Sequence, residues 1–89
     1  MQRRTIHFAG HVQGVGFRYT AWEAASPLAV TGYVRNLPDG RVELVVEGAA
    51  SEIETLLARL RERTEGHVKS AQESISAATG EFEGFQIRR

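Results

Sequence analysis

The sequence predicts an α+β sandwich in which two helices pack on one face of an antiparallel sheet. Three observations support this class: segments where apolar and polar residues alternate, segments with apolar residues at helical spacing, and their order, β-α-β-β-α-β. The chain has 89 residues, of which 42% are hydrophobic and 25% charged, close to an average soluble globular protein. We therefore expect one domain over residues 1–89.

The first strand and the first helix lie on either side of a glycine-rich segment. Ile6, Phe8 and Val12 alternate with polar or small residues, which predicts a half-buried strand. Residues from about 17 to 26 have helical composition, and Pro27 disfavours helical dihedrals at the residue before it. The helix is therefore predicted to end there or one turn later.

A hairpin follows the first helix. Residues 31–36 and 41–47 have strand composition, and the Pro-Asp-Gly sequence at 38–40 between them is a strong turn signal. The second and third strands are therefore predicted to be antiparallel neighbours.

The second helix is predicted from a stripe of apolar residues at helical spacing, namely Ile53, Leu56, Leu57 and Leu60. Ser51 and Glu54 have capping-box spacing at its start, and Gly66 is a plausible stop. Residues 68–75 indicate a weak fourth strand. The chain is predicted to finish with a last strand that contains Phe82, Phe85 and Ile87.

Charge and composition exclude several classes of function. The chain has 11 basic and 11 acidic side chains, which argues against nucleic-acid binding through a broad basic face. It has no cysteine, which excludes a disulfide framework, a thiolate nucleophile and a cysteine zinc site. No apolar run approaches the roughly 20 residues that span a bilayer, and residues 1–5 lack the apolar stretch of a signal peptide. We expect a cytoplasmic monomer without membrane or nucleic-acid partners.

The segment 10–18, Gly-His-Val-Gln-Gly-Val-Gly-Phe-Arg, is the most informative part of the chain. Glycines let the backbone turn tightly and bring N–H groups close to a ligand, and a helix N-terminus adds unpaired donors and partial positive charge. Arg18 adds a planar, permanently charged fork suited to phosphate. These parts predict a small dianion-binding cradle. The segment does not match a dinucleotide-binding fingerprint, because Tyr19 stands where that motif has its third small residue. It does not match a P-loop either, because no lysine follows the glycines.

Asn36 ends the second strand beside the hairpin turn and has two interpretations. Asparagine is favoured in turns, which is sufficient to explain it there. Its neutral amide can also hold and orient a water molecule beside a phosphate without adding a repelling charge. The residues alone leave both open.

The remaining polar and aromatic residues suggest no second site. The spacing of the histidines implies no third metal ligand, so we expect neither a metal site nor a cofactor at His7, His11 and His67. Tyr19 and Trp22 could line a pocket mouth, but simple packing is the expected role. Arg88 and Arg89 are expected to form a solvated tail.

The chain resembles the acylphosphatases. The resemblance lies in residues 10–18, in Gly-Tyr-Val-Arg-Asn at 32–36, in Asp-Gly-Arg-Val-Glu at 39–43 and in the closing residues 82–89. It covers essentially the whole chain in the correct order.

This resemblance implies a ferredoxin-like fold and hydrolysis of small acyl phosphates to carboxylate and orthophosphate, without metal or cofactor. The phosphate-cradling loop is then Gln13, Gly14, Val15, Gly16 and Phe17, the phosphate-binding arginine is Arg18, and the water-positioning residue is Asn36. The partner is a small-molecule acyl phosphate.

Two other functions are consistent with parts of this pattern. A binding module that holds carbamoyl or another acyl phosphate for a partner enzyme would need the same cradle, although the length of the chain favours an independent enzyme. An RNA-recognition domain shares the order of elements, but its consensus belongs on an aromatic third strand. Here the third strand carries Glu43 and Glu47 and no aromatic residue.

Overall fold

Two helices and five strands make up the chain in the computed structural model, which describes residues 1–14 and 16–89. The strands are β1 Gln2–Gly10, β2 Val30–Asn36, β3 Val42–Gly48, β4 Val68–Ala77 and β5 Phe85–Arg88. The helices are α1 Phe17–Ala25 and α2 Ala50–Arg63. The predicted ferredoxin-like α+β class is confirmed, and α1 ends one residue before Ser26. Neither helix of the described residues is long and apolar enough to cross a bilayer.

The sheet has the order β4-β1-β3-β2-β5 and is mixed, where the sequence predicted an antiparallel sheet. Its first three pairings are antiparallel, but β5 pairs in parallel with β2, with Gly32 opposite Phe85 and Val34 opposite Ile87. The chain leaves β4 beside the first residues of β1 and crosses the sheet at that end. It enters β5 from the end where β2 begins, so the two strands run in the same direction.

The hydrophobic core lies between the sheet and the two helices. On β3, Val42, Leu44 and Val46 are fully buried on the face toward the helices, because alternate side chains of a strand point to the same side. The apolar stripe of α2 packs against this face, as its helical spacing predicted, through Ile53, Leu56, Leu57 and Leu60. Four buried residues of α1 belong to the same core and hold the start of that helix relative to the sheet: Phe17, Ala21, Ala24 and Ala25.

The capping box predicted for α2 is wrong. The N-cap is Ala49, which makes no side-chain cap, and its carbonyl accepts hydrogen bonds from the N–H groups of Glu52 and Ile53. Ser51 lies inside the first turn. The Glu54 side chain pairs with the Arg4 guanidinium at 2.5 Å instead of reaching back to the helix N-terminus. A buried arginine on β1 therefore competes successfully for the carboxylate.

Glu47 fastens the segment between β4 and β5 to the sheet. Its carboxylate, only 4% exposed, accepts hydrogen bonds from the N–H groups of Thr79 and Gly80 at 2.9 Å and from Arg3 Nε at 2.7 Å. Burial alone would raise the pKa of this carboxyl, but these donors outweigh burial and lower the pKa to about 2. Glu47 thus stabilises the crossover that delivers β5 to the far edge of the sheet.

Glu47 should make stability depend on pH. Its pKa is lower in the folded state than the ordinary 4.5, so its contribution is complete above pH 4.5 and is lost as the pH falls toward 2. Replacing Glu47 by glutamine should lower the free energy of unfolding near neutral pH by about 1.5–3 kcal/mol. The loss of stability on acidification should also become shallower. Urea unfolding at neutral and acidic pH measures both effects.

Glu62→Gln is the matched control, because Glu62 is exposed on α2 and forms no ion pair with any residue in 1–14 or 16–89. If the Glu47 and Glu62 variants have the same pH profile, Glu47 does not anchor the crossover.

Candidate active site

A cavity of about 200 Å³ lies where the start of α1, the end of β2 and β5 meet. Its described lining contains four of the six predicted phosphate-binding residues, together with Asn36: Gly14, Gly16, Phe17, Arg18 and Asn36. Val12, Tyr19 and Ile87 complete the lining. A larger, mostly apolar cleft of about 450 Å³ between α2 and β4 contains none of the predicted site residues. The smaller cavity is therefore the candidate site.

The loop before α1 presents backbone donors at this cavity. Gly14 and Gly16 have φ of +77° and +76°, a conformation that favours glycine, and Gly16 is the N-cap of α1. The N–H groups of Gly14, Gly16, Phe17 and Arg18 find no acceptor in the part of the chain that the structure describes. Val15, the remaining predicted member of the loop, lies outside the described residues. The loop thus has amides available to an anion.

Phe17 and Gln13 hold this loop in place from its two ends. The Phe17 side chain is 2% exposed and its ring centroid lies 5.1 Å from that of Phe8, which fixes the start of α1 in the core. Gln13 Nε2 donates to the carbonyl oxygens of Leu37 and Arg41 at 2.8 and 2.9 Å. The Gln13 side chain therefore ties the loop to the β2–β3 hairpin, and it does not line the cavity.

Arg18 supplies a positive charge that has no acidic partner among residues 1–14 and 16–89. The ion pairs of the described residues involve other basic groups, namely Arg3, Arg4, His7, Arg35, Arg41 and Arg63. Arg18 Nη1 donates to the carbonyl oxygen of Arg88 at 3.0 Å, and its Nε and Nη2 donors have no partner in residues 1–14 and 16–89. The first turn of α1 also lacks an acidic residue. A dianion would therefore meet uncompensated charge here.

Asn36 has a buried acceptor at the same cavity. Its Oδ1 is shielded from solvent and is the one buried side-chain oxygen or nitrogen of the described residues without a hydrogen-bond partner. Alternation along β2 places this side chain on the helix-facing side with Val34. A buried carbonyl oxygen without a partner is costly, so its retention beside this cavity calls for an explanation.

Ile87 and the Arg88 contact were not predicted as parts of this site, and Tyr19 was considered for a pocket mouth but expected to pack. Tyr19, expected to pack, is 57% exposed and lines the cavity, as does Ile87. Arg88, expected in a solvated tail, lies in β5, where its guanidinium carbon is 4.1 Å from the Tyr33 ring centroid. The parallel pairing of β5 places Ile87 and the Arg88 carbonyl beside Arg18. Only the apolar alternation of the last strand hinted at Ile87.

The histidines considered as bases or ligands are not part of the described lining of this cavity. His7 Nε2 is 2.8 Å from Glu43 Oε2 on the face of the sheet opposite the helices. The His11 and His67 rings lie 5.8 Å apart at the other end of β1. Neither a carboxylate nor an imidazole is part of the described cavity lining.

Comparison with known proteins assigns a family to this geometry. The acylphosphatase family model matches residues 4–87. An acylphosphatase of Methylococcus capsulatus is 47% identical over 100% of this chain and 98% of its own length. One from Paenarthrobacter aurescens is 44% identical over 96% of this chain and 92% of its own.

A solved structure agrees with these sequence matches. The crystal structure of acylphosphatase from Bacillus subtilis superposes with a TM-score of 0.91, covers 100% of both chains and is 29% identical in sequence. The predicted resemblance is thus confirmed over nearly the full length of the chain. The chain belongs to the acylphosphatase family.

Proposed function

We propose that this chain hydrolyses small acyl phosphates to a carboxylate and orthophosphate by attack of water on phosphorus. The observation that carries the proposal is the convergence on one cavity of three groups: loop amides without an acceptor among the described residues, an arginine without an acidic partner among them, and the Asn36 carboxamide. Relatives named acylphosphatases, similar over nearly their whole length, support this chemistry.

The phosphoryl group is proposed to bind against the loop amides and Arg18. Its oxygens would accept from the N–H groups of Gly14, Gly16, Phe17 and Arg18 and from the free Nε and Nη2 of the guanidinium. Hydrogen bonds to charged groups contribute about 1.5–3 kcal/mol each, so a few of them orient a dianion even in an open site. These donors also stabilise the charge that spreads over the phosphoryl oxygens in the transition state.

Asn36 is proposed to hold the nucleophilic water. Its carboxamide, which lines the cavity, would hydrogen-bond a water and direct an oxygen lone pair toward phosphorus. The amide is neutral, so it binds the water without repelling the dianion. A carboxylate at the same position would repel the substrate.

The reaction balances without a protein base. The water oxygen forms a bond to phosphorus, and the bond from phosphorus to the carboxyl oxygen breaks, with its electron pair leaving on the carboxylate. The described lining offers no carboxylate or imidazole to take the water proton, and arginine does not deprotonate in proteins. The phosphoryl oxygens are the proposed acceptor, so the proton ends on orthophosphate.

We predict that the enzyme is a cytoplasmic monomer in which residues 1–89 form one domain. We also predict that it acts without nucleic acid or cofactor. The substrate is proposed to be a small molecule with a free acyl phosphate group. Its acyl part is considered below.

Hydrolysis of benzoyl phosphate in ¹⁸O-labelled water tests the function and the site of attack together. The purified chain should release phosphate catalytically, and the label should appear in orthophosphate and not in benzoate. Label in benzoate would show attack on the carbonyl carbon and would overturn the mechanism. Binding of phosphate without turnover would favour the binding-module interpretation.

A further inference from the structure

We propose that Tyr19 and Ile87 form an acyl-group subsite that favours aromatic acyl phosphates over acetyl phosphate. The inference rests on the proposed function, because it concerns the other half of the same substrate. Neither side chain is needed to bind the phosphoryl group, yet both line the cavity with Arg18 and Asn36.

The size of the cavity places the acyl group at its mouth. Pockets that enclose drug-sized ligands measure about 300–1,000 Å³. The cavity of about 200 Å³ is smaller, and its polar groups all suit the phosphoryl end. The acyl group must therefore extend past those groups and meet whatever surface borders the opening.

That bordering surface is apolar and comes from two walls. Val12 and Phe17 are 1% and 2% exposed, so they form the floor and offer little surface. Tyr19 on α1 and Ile87 on β5 are 57% and 40% exposed, so they offer more surface than the two floor residues. An acyl group that rests on them removes their exposed faces from water, which favours binding.

A hydrogen bond beside the phosphate site brings Tyr19 and Ile87 close to each other. Tyr19 follows Arg18 and Ile87 precedes Arg88 in the chain, and Arg18 Nη1 is hydrogen-bonded to the Arg88 carbonyl oxygen at 3.0 Å. This contact ties α1 to β5 directly beside the proposed subsite. A ligand whose phosphoryl group meets Arg18 therefore has both apolar residues close to its other end.

Trp22 supports the Tyr19 ring. The two aromatic rings lie one helical turn apart, with centroids separated by 5.8 Å and an interplanar angle of 35°. Trp22 is itself 38% exposed, so this pair is not buried in the core. A braced, exposed tyrosine ring offers a flat face to an aromatic acyl group, and such ring contacts are worth about two- to tenfold in affinity.

The test compares benzoyl and acetyl phosphate in wild type and in Tyr19→Ala and Ile87→Ala. Each replacement should lower the benzoyl-to-acetyl ratio of kcat/KM by about three- to tenfold. The change should appear mainly as a higher KM for benzoyl phosphate, since contacts made equally in ground and transition states act on KM. Differences in intrinsic reactivity between the substrates cancel when each variant ratio is divided by that of wild type.

Ile75→Ala is the matched control, because Ile75 is 57% exposed on β4 at the opposite edge of the sheet. It should leave both substrates unaffected. Tyr19→Phe keeps the ring and should retain the wild-type ratio, which separates lost stacking from a general disturbance of α1. Thermal unfolding of each variant verifies that the fold is intact.

The outcomes separate this inference from the function on which it rests. A wild-type chain that hydrolyses neither substrate overturns the proposed function, and the subsite with it. A wild-type chain that hydrolyses both, with ratios unchanged in folded Tyr19→Ala and Ile87→Ala, overturns the subsite alone. So does an equal change of ratio in Ile75→Ala.

Discussion

Replacing Arg18 by glutamine should lower kcat/KM for benzoyl phosphate by about 10³, or roughly 4 kcal/mol of transition-state stabilisation. Glutamine keeps hydrogen-bonding groups but removes the charge and the fork of donors. The phosphoryl group loses the guanidinium in both ground and transition states, so inhibition by inorganic phosphate should weaken about 10- to 100-fold. Steady-state kinetics with and without phosphate measure both quantities.

Arg59→Gln is the control for Arg18, since Arg59 is exposed on α2 and lies outside the cavity lining. It should keep wild-type activity and wild-type inhibition. Near-native turnover by a folded Arg18→Gln variant would remove the arginine from the mechanism. The role of Arg18 would then be structural, through its hydrogen bond to the Arg88 carbonyl oxygen.

Replacing Asn36 by alanine should lower kcat by about 10²–10³ with little change in KM or in phosphate inhibition. The reason is that the Asn36 carboxamide is proposed to contact the water, and orientation of the attacking group affects the transition state rather than phosphate binding. Single-turnover hydrolysis of benzoyl phosphate measures this step without product release.

Gln72→Ala tests whether loss of an amide elsewhere has the same result. Gln72 is exposed on β4, away from the cavity, and its replacement should be silent. Removing Asn36 also removes a buried oxygen without a described partner, so the variant should be no less stable than wild type. A folded Asn36→Ala variant with full kcat would contradict the role of the asparagine.

Local signals were sufficient for most of the fold. The glycines at 14 and 16 and the apolar stripe of α2 are signals that act within their own segments. Both glycines have positive φ, and the stripe forms the helix that it predicted. The capping box failed because Arg4, distant in sequence, pairs with Glu54. Likewise, the parallel pairing of β5 depends on the path of the crossover, which no local pattern encodes.

In the candidate site, too, local signals were predictive and long-range contacts were not. Arg18 stood out because a cation in the first turn of a helix after two glycines is locally unfavourable and so indicates an anion partner. From the residues alone Asn36 had two interpretations, of which the turn role was the favoured one, and the fold places it at the same cavity as the loop. Ile87 was missed, and Tyr19 was expected to pack, because their place at the cavity depends on contact between α1 and β5, which are distant in the chain.

Arg18 is proposed to bind the phosphoryl group and Asn36 to orient the water. The most direct test of these two roles is the inhibition constant of inorganic phosphate in wild type, Arg18→Gln and Asn36→Ala. Phosphate should bind about 10- to 100-fold more weakly to the arginine variant only, as loss of a charged contact requires. The asparagine variant should bind phosphate like wild type, while its kcat should be lower by about 10²–10³. Equal phosphate binding by wild type and the arginine variant would contradict the account.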